Sequence, residues 1–531
     1  MAKIHILKGP QLDCEAGRNL LDVLLEQQIF VDNPCNGKGT CGKCKVKLLS
    51  GDCSEPTETE RRLLKAEELA AGLRLSCMTT VQGDCQLQLL QQERRHAVLM
   101  EGYLPDFEKE KRRGYGVAVD IGTTTVALSL VELCSGKELA QASAINAQKR
   151  YGLDVLTRIS YEYEKGEKAI AQLQSALVDS LNELLGQLCQ QAEIHREDIL
   201  EIVVAANCCM THMLLGVDAR SMGKAPYEPE FLSAQECLAA EIGLKAGKET
   251  RLYCLPQVSA YIGGDIVAGV EVCQLQQEKG NVLFLDIGTN GEIVLASEGR
   301  LLSCSCAAGP ALEGMNISCG MRAAEGAVED VHIGEREVEL STIGAEAPLG
   351  LCGSGILAAV RELIQGGYLK KTGAFVALDS QPQPAILRQN GTKREALLCS
   401  QPELLVTQDD VRQVQLAKGA ILSGFQVLLR EAGITMEQLD KVLIAGQFGA
   451  HLPKESLLGI GLLPKEVAHK LHYVGNSSKT GAYMALLSKE KRRNMESLAK
   501  EIQYIELAQT KDYERVFAAA LSFPKKETAP C

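Results

Sequence analysis

Over residues 1–90 the apolar positions change period several times. KIHILKG (3–9) alternates as a strand, and RNLLDVLLEQQ (18–28) gathers its leucines on one face of a helix. CKVKLLSG (44–51) reads as a second strand and ETERRLLKAEELAAG (58–72) as a charged helix. LRLSCMTTV (73–81) and DCQLQLL (84–90) close the stretch as strands. Mixed strands around one or two helices predict a small α+β unit. Residues 91–113 carry charges with no clear period and read as a linker. From residue 114 apolar strands alternate with long helices, the pattern of an α/β fold. One predicted helix, 164–192, has leucines at helical spacing, a face suited to core or dimer packing.

Within that second region the sequence repeats itself. VAVDIGTTTVALSLVE (117–132) aligns without gaps onto LFLDIGTNGEIVLASE (283–298), giving two strand–Asp–Gly-turn–strand units. A duplicated fold with one site between its halves is the physical reading.

Composition narrows the classes. A chain of 531 residues exceeds one compact core. A net charge of −12 argues against nucleic acid, which is bound by neutralising phosphates with Lys and Arg. No apolar stretch reaches transmembrane length, and MAKIHILKGP lacks the apolar core of a signal peptide, so the expected location is the cytoplasm. Twenty cysteines in such a chain read as reduced thiols or metal ligands rather than a disulfide framework. Most stand singly among apolar neighbours, as small buried hydrophobes do.

Four of them stand apart. CNGKGTCGKC sets Cys35, Cys41 and Cys44 in a glycine-rich loop, and Cys77 follows in RLSC. Iron–sulfur clusters take thiolates, and glycines let the backbone wrap them and turn N–H groups toward the sulfides. The loop is one residue longer than the plant-type C-x4-C-x2-C spacing, a length resembling adrenodoxin-like ferredoxins, and the element order resembles their β-grasp fold. Zinc is the rival, but zinc sites pair two CxxC knuckles and only Cys41 and Cys44 form one. Cys53 and Cys85 are alternative fourth ligands outside the RLSC context.

The DIGT turns resemble the two phosphate loops of the actin-like (ASKHA, ribonuclease H-like) ATPases. A strand ends in Asp, and a Gly-Thr turn presents N–H groups to phosphate oxygens. Gly122, Thr123 and Thr124 form one such turn, and Gly288, Thr289 and Asn290 the other. Asp120 and Asp286 would hold Mg²⁺ through its waters. KVLIAGQFGAHLP (441–453) supplies an adenosine motif with Gly446 and Gly449. Asp265, in PQVSAYIGGDIVAG, is a candidate to orient the attacking water; its plainer reading is a helix-terminal or salt-bridged carboxylate. Neither GxGxxG after a first strand nor a Walker A lysine motif is present. Cys352, in GLCGSGIL, lacks a motif that would supply a base and reads as packing.

A ferredoxin ahead of an actin-like ATPase resembles the reductive activators of corrinoid proteins in methyltransferase and O-demethylase systems. Further strings extend the resemblance over nearly the whole chain: NAQKRYGLDVLTRI, AANCCMTHMLLG, AGPALEGMNISCGM, VRQVQLAKGAI and VGNSSKTGA. The second string has Cys208 and Cys209 where relatives carry threonine. Other relatives bear C-terminal cluster motifs, whereas SFPKKETAPC offers one cysteine. The resemblance implies a ferredoxin domain at 1–90, a linker at 91–113, ATPase halves at 114–280 and 281–524, and a tail at 525–531. It also implies a [2Fe–2S] cluster, ATP and Mg²⁺, and one-electron reduction of inactive Co(II) to Co(I) on a partner that carries the corrinoid. A low-potential electron donor and a homodimer are further expectations, with no membrane partner. DVHIGE (330–335) places its Gly one residue early for the DxHxxG lower-ligand signature and reads as a loop.

Plant-type clusters sit near −400 mV and Co(II)/Co(I) couples generally lower, at about 1.4 kcal/mol per ~59 mV for one electron. Site-to-site coupling of about 1–3 kcal/mol would cover roughly 40–130 mV of such a gap.

Three other functions are compatible with parts of this pattern. Activators of acyl-CoA dehydratases share the ATPase but lack an N-terminal ferredoxin. A small-molecule kinase with a regulatory cluster would phosphorylate an added substrate, and a chaperone-like module would not need a reducible cluster.

Overall fold

The computed structural model describes residues 2–7, 9–27, 29, 31, 37, 39, 42, 44–90, 102–446 and 452–524. Cys35, Cys41, Gly449, the first half of the linker (91–101) and the tail (525–531) lie outside the described residues. The chain forms two compact units, one of residues 1–94 with 147–169, the other of 95–146 with 170–531.

In the first unit, β1 (Ala2–Ile6), β2 (Gln11–Cys14), β3 (Arg18–Asn19), β4 (Lys45–Cys53), β5 (Leu73–Leu75) and β6 (Thr80–Leu89) make one sheet in the order β2-β1-β6-β4-β5, with β3 beside β6. The central β1–β6 pair is parallel and the other pairs antiparallel, as in a β-grasp fold. Alternation along β1 buries Ala2, Ile4 and Ile6 against Leu20 and Leu24 of α1 (Leu20–Glu26). Asn19 caps α1, accepting from Leu21 and Asp22, so the predicted helix begins two residues late.

The predicted helix over 58–72 is two, α2 (Glu58–Leu63) and α3 (Ala66–Ala70). Thr57 and Glu60 form a capping box on α2, and Glu60 also takes Arg74 and the Leu75 N–H. The helix breaks where Leu64 and Lys65 turn extended, and Glu68 takes the Lys65 N–H to start α3 afresh. The strand expected over 73–81 breaks likewise, with a 3₁₀ turn at Ser76–Met78. α4 (Val155–Lys165) also lies in this unit and ends at Gly166, so the helix expected over 164–192 starts only at Glu167.

The second unit holds two sheets of matching plan. β7 (Tyr115–Ile121), β8 (Thr125–Glu132) and β9 (Lys137–Ile145) are an antiparallel meander. After α5 (Glu167–Ala192), β10 (Ile199–Ala206) runs parallel beside β7. Following α6 (Cys208–Leu215), β11 (Gln235–Leu238) and β12 (Arg251–Cys254) complete the order β11-β12-β10-β7-β8-β9, and α7 (Gly264–Val272) ends the half.

The second copy has its meander in β13 (Val282–Ile287), β14 (Gly291–Ser297) and β15 (Arg300–Cys306). Small sheets of β16 (Ala327–Ile333), β17 (Val338–Thr342) and β18 (Gly350–Leu351), and of β19 (Leu387–Asn390), β20 (Lys393–Ser400) and β21 (Glu403–Thr407), are inserted around α8 (Gly353–Gln365) and α9 (Gln408–Ala432). DVHI, expected as a loop, lies on β16, where His332 is exposed beside Glu362. Then come β22 (Lys441–Ala445), α10 (Lys454–Gly459), β23 (Leu471–Gly475), α11 (Ser477–Leu487), α12 (Lys489–Glu501), β24 (Ile502–Tyr504) and α13 (Tyr513–Ala520). The order β23-β22-β13-β14-β15-β24 repeats the first sheet except at its edges.

α7 and α11 pack on one another at small residues: a Cβ at Gly481 would lie 2.3 Å from that of Ala268. Residues 102–113 are strapped onto this unit, with Tyr103 N–H donating to Val474 O, Lys109 to the Tyr483 hydroxyl and Arg112 to Glu201.

Candidate functional sites: a thiol pair and two facing hairpins

In the first unit, Cys44 enters β4 and Cys77 sits on the 3₁₀ turn between β5 and β6. Both are buried, with their sulfurs 3.2 Å apart. Ser76 N–H donates to Cys44 O and Asn19 Nδ2 to Cys77 O, pinning both backbones. The Cys77 hydrogen bond, against burial and with help from Ser76, brings the Cys44 thiol down to about 6. Thiolates at ~2.3 Å from a tetrahedral metal stand roughly 3.7 Å apart, so a small opening lets this pair share one. Gly37, Gly39 and Gly42 all have positive φ (76°, 67° and 66°), as a loop wrapped around a cluster requires. Cys53 and Cys85 lie on β4 and β6, hydrogen-bonded to one another.

In the second unit both DIGT segments are hairpins, with Asp120 and Asp286 the last-but-one residues of β7 and β13. The gapless alignment does not survive the turns. Ile121 pairs Val126 across four residues, but Ile287 pairs Gly291 across three. The shorter turn lets Gly288 N–H reach Asn290 O, where Gly122 N–H reaches Thr125 O, and it sets Glu292 directly across from Asp286.

A deep floor of carboxylates lies between the hairpins. Burial and the neighbouring Asp265 and Asp120 push Asp286 up to about 8. Asp265 is pushed up to about 7 by burial and Asp120, although its carboxylate accepts from Ile266 N–H at the start of α7. Asp265 thus sits in the first turn of α7 without capping it, the N-cap being Gly263. Glu292 is pushed well up by burial, Asp265 and Asp286. Such mutually repelling carboxylates suit a divalent cation. Asp120 differs, since it accepts from Asn476 Nδ2 (2.9 Å) and Ser478 Oγ (2.7 Å) at the head of α11. Gly446 has φ +93°, and a Cβ there would come 2.4 Å from Asp286 Oδ1, so its backbone lies against that carboxylate.

The turns themselves carry hydroxyls. Asn207, the N-cap of α6, donates to Thr123 Oγ1. Thr124 Oγ1 donates to Glu313 Oε2 at 3.0 Å, and Thr289 Oγ1 donates to Glu313 Oε1. Thr124 and Thr289 are themselves 3.4 Å apart, so one carboxyl ties the two hairpins together. Around Gly288 the nearest atom to a Cβ is 3.7 Å away, leaving room above the turn.

Sequence reasoning missed Glu313, Glu292, Asn476 and Ser478 as site residues. The first sits in AGPALEGM and the last two in VGNSSKTGA, strings noted without a role. Glu292 left a plainer signal: it is a charge at a strand position where the aligned first copy has Val126.

Residues 280–531 match the C-terminal domain of RACo, the ASKHA domain; residues 115–278 match the RACo middle region; and residues 5–82 match the 2Fe-2S iron-sulfur cluster binding domain. The chain is 34% identical over 430 residues to the corrinoid activation enzyme RamQ of Eubacterium limosum, covering 78% of this chain and 72% of that one. The chain belongs to the family of reductive activators of corrinoid proteins. Within this family it is also similar to the [Co(II) methylated amine-specific corrinoid protein] reductase of Methanosarcina barkeri, at 25% identity over 77% of each chain. A solved structure of a reductive activator for corrinoid, iron-sulfur protein matches 99% of both chains at 29% identity, with a TM-score of 0.70. This activator thus has a ferredoxin domain followed by a duplicated actin-like ATPase fold. Among its described residues, no helix is long and apolar enough to cross a membrane.

Proposed function

We propose that the chain carries out ATP-dependent reductive activation, returning an inactive Co(II) corrinoid protein to Co(I) by one electron. Two phosphate-type hairpins, facing one another over a shared carboxylate floor in a chain that also has a ferredoxin unit, carry the reading. The corrinoid belongs to the partner, a protein of a methyltransferase system, and a low-potential donor reloads the activator. The domains are 1–90, 114–280 and 281–524, and the molecule works as a cytoplasmic homodimer.

Cys35, Cys41, Cys44 and Cys77 hold the [2Fe–2S] cluster, which when bound supplies single electrons at low potential. The sulfur spacing of Cys44 and Cys77 supports that donor set. Gly122, Thr123 and Thr124 bind phosphate oxygens from one side and Gly288, Thr289 and Asn290 from the other. Asp286 and Asp120 hold Mg²⁺, and Gly446 and Gly449 let the backbone approach the nucleoside. Asp265, at the start of α7 beside Asp286 and Asp120, orients the attacking water.

The test mixes the reduced protein, MgATP and a Co(II) corrinoid protein and follows Co(I) absorption. Co(I) should form with ATP and fail to form in a Cys35→Ser variant. Equal Co(I) in that variant overturns the electron path.

A further inference from the structure

We infer that Glu313 is a latch: without nucleotide its carboxyl ties the two phosphate hairpins together through Thr124 and Thr289, and terminal phosphates must displace it. The inference rests on the nucleotide reading above and adds a regulatory step to that site.

A threonine hydroxyl has one proton to donate. In this structure those of Thr124 and Thr289 both go to Glu313, one to each carboxyl oxygen. A phosphate oxygen can take either proton only when Glu313 gives it up. The two hydroxyls come from opposite halves, so the carboxyl fills the place where an anion gripped from both sides would sit.

Burial confines the carboxyl to that place. Glu313 is 2% exposed, and burial pushes its carboxyl up, against the two threonine hydrogen bonds and Arg322. Asp120, Asp265, Asp286 and Glu292 already crowd the floor. Arriving phosphate oxygens would need the place that this buried carboxyl holds between Thr124 and Thr289.

The local chain leaves the movement to the side chain. Glu313 closes a 3₁₀ turn, Pro310–Glu313, bracketed by Gly309 and Gly314, both at positive φ. Gly314 is packed, since a Cβ there would lie 2.2 Å from Met321 O. Gly309 has nothing within 4 Å of such a Cβ. Ala311 and Leu312 of the turn are buried in the core, so the backbone is held and the Glu313 side chain is the part that must swing.

The test is calorimetry on the full chain with its cluster, using Mg²⁺ with a non-hydrolysable ATP analogue and, separately, adenosine. Glu313→Ala should bind the analogue roughly tenfold or more tightly, the scale of releasing hydrogen bonds to a carboxylate. Adenosine, which has no phosphates, should bind the variant and the wild type alike. Glu313→Gln, which keeps the size and loses the charge, should fall between and serves if the alanine variant does not fold. Unchanged or weaker analogue binding in the variants overturns the latch while leaving the nucleotide site standing. A wild-type protein that binds no adenine nucleotide overturns the site and the latch together.

Discussion

Ser478 donates its hydroxyl to Asp120 at 2.7 Å, joining the end of the first half's hairpin to the first turn of a helix from the second. With Asn476 on the other oxygen, the carboxylate has a fixed direction, and the two bonds work against the burial that pushes its pKa up. Asp120 can therefore face Mg²⁺ only through its remaining lone pairs. Ser478→Ala should weaken Mg²⁺-nucleotide binding several-fold and cost about 1 kcal/mol in stability. Asp120→Asn should abolish Mg²⁺-dependent binding. Nucleotide titrations with and without Mg²⁺ check both, and a Ser478→Ala variant with unchanged Mg²⁺ dependence would remove Asp120 from the metal.

Asp265 lies beside Asp286 and Asp120 but also accepts from Ile266 N–H in the first turn of its own helix. If it orients water, Asp265→Asn keeps the bond from Ile266 N–H, binds MgATP normally and loses at least about a hundredfold in hydrolysis, the low end for a general base. If the carboxylate only ends a helix, hydrolysis changes little. Phosphate release under saturating MgATP separates the two.

The floor also fixes a pH dependence. Asp265 near 7 and Asp286 near 8 keep protons that the unfolded chain sheds above about 3.9. The native state binds more protons in that window, so stability is fullest below it and falls as pH rises through 7 and 8. Thermal unfolding in EDTA at pH 5.5, 7.0 and 8.5 should show the fall, and Asp286→Asn should flatten it. Added Mg²⁺ should offset the loss at high pH by neutralising the same carboxylates. A wild-type curve no steeper than that of Asp286→Asn would contradict the assignment.

The sequence made some of these features plain and hid others for physical reasons. Two DIGT turns stand out because strand, Asp and Gly-Thr are contiguous, and the cluster cysteines because three of them share one loop. Glu313 was hidden because it reaches Thr124 across 189 residues, through a hydrogen bond with no periodicity to betray it. The shorter second turn was hidden because an alignment of strands cannot see which residues pair across a hairpin. The break of the 58–72 helix lies at the extended Leu64 and Lys65, where buried Leu64 packs into the core and Glu68 takes the Lys65 N–H, a tertiary demand that overrides helix propensity.

Glu60 yields the prediction for the cluster end. Its side chain is fully buried, Arg74 is nearly so, and they bond through two nitrogens at 2.9 and 3.0 Å. Burial raises the Glu60 carboxyl, yet Arg74 and the Thr57 and Leu75 N–H groups hold it below its usual range. Arg74 also donates to Ser54 O, so the pair ties α2, the end of β4 and the strand leading into Cys77 together. Glu60→Ala leaves the guanidinium buried without its charge partner and should cost about 3–5 kcal/mol. Because Cys77 follows Arg74 by three residues, the variant should also lose its cluster absorption faster on heating than the wild type. Cys77→Ser should not assemble the cluster at all, whereas Cys53→Ser and Cys85→Ser should, since those two thiols lie along β4 and β6 rather than on the turn where Cys77 meets Cys44. A Cys85→Ser protein without cluster absorption, beside a Cys77→Ser protein that keeps it, would exchange the fourth ligand.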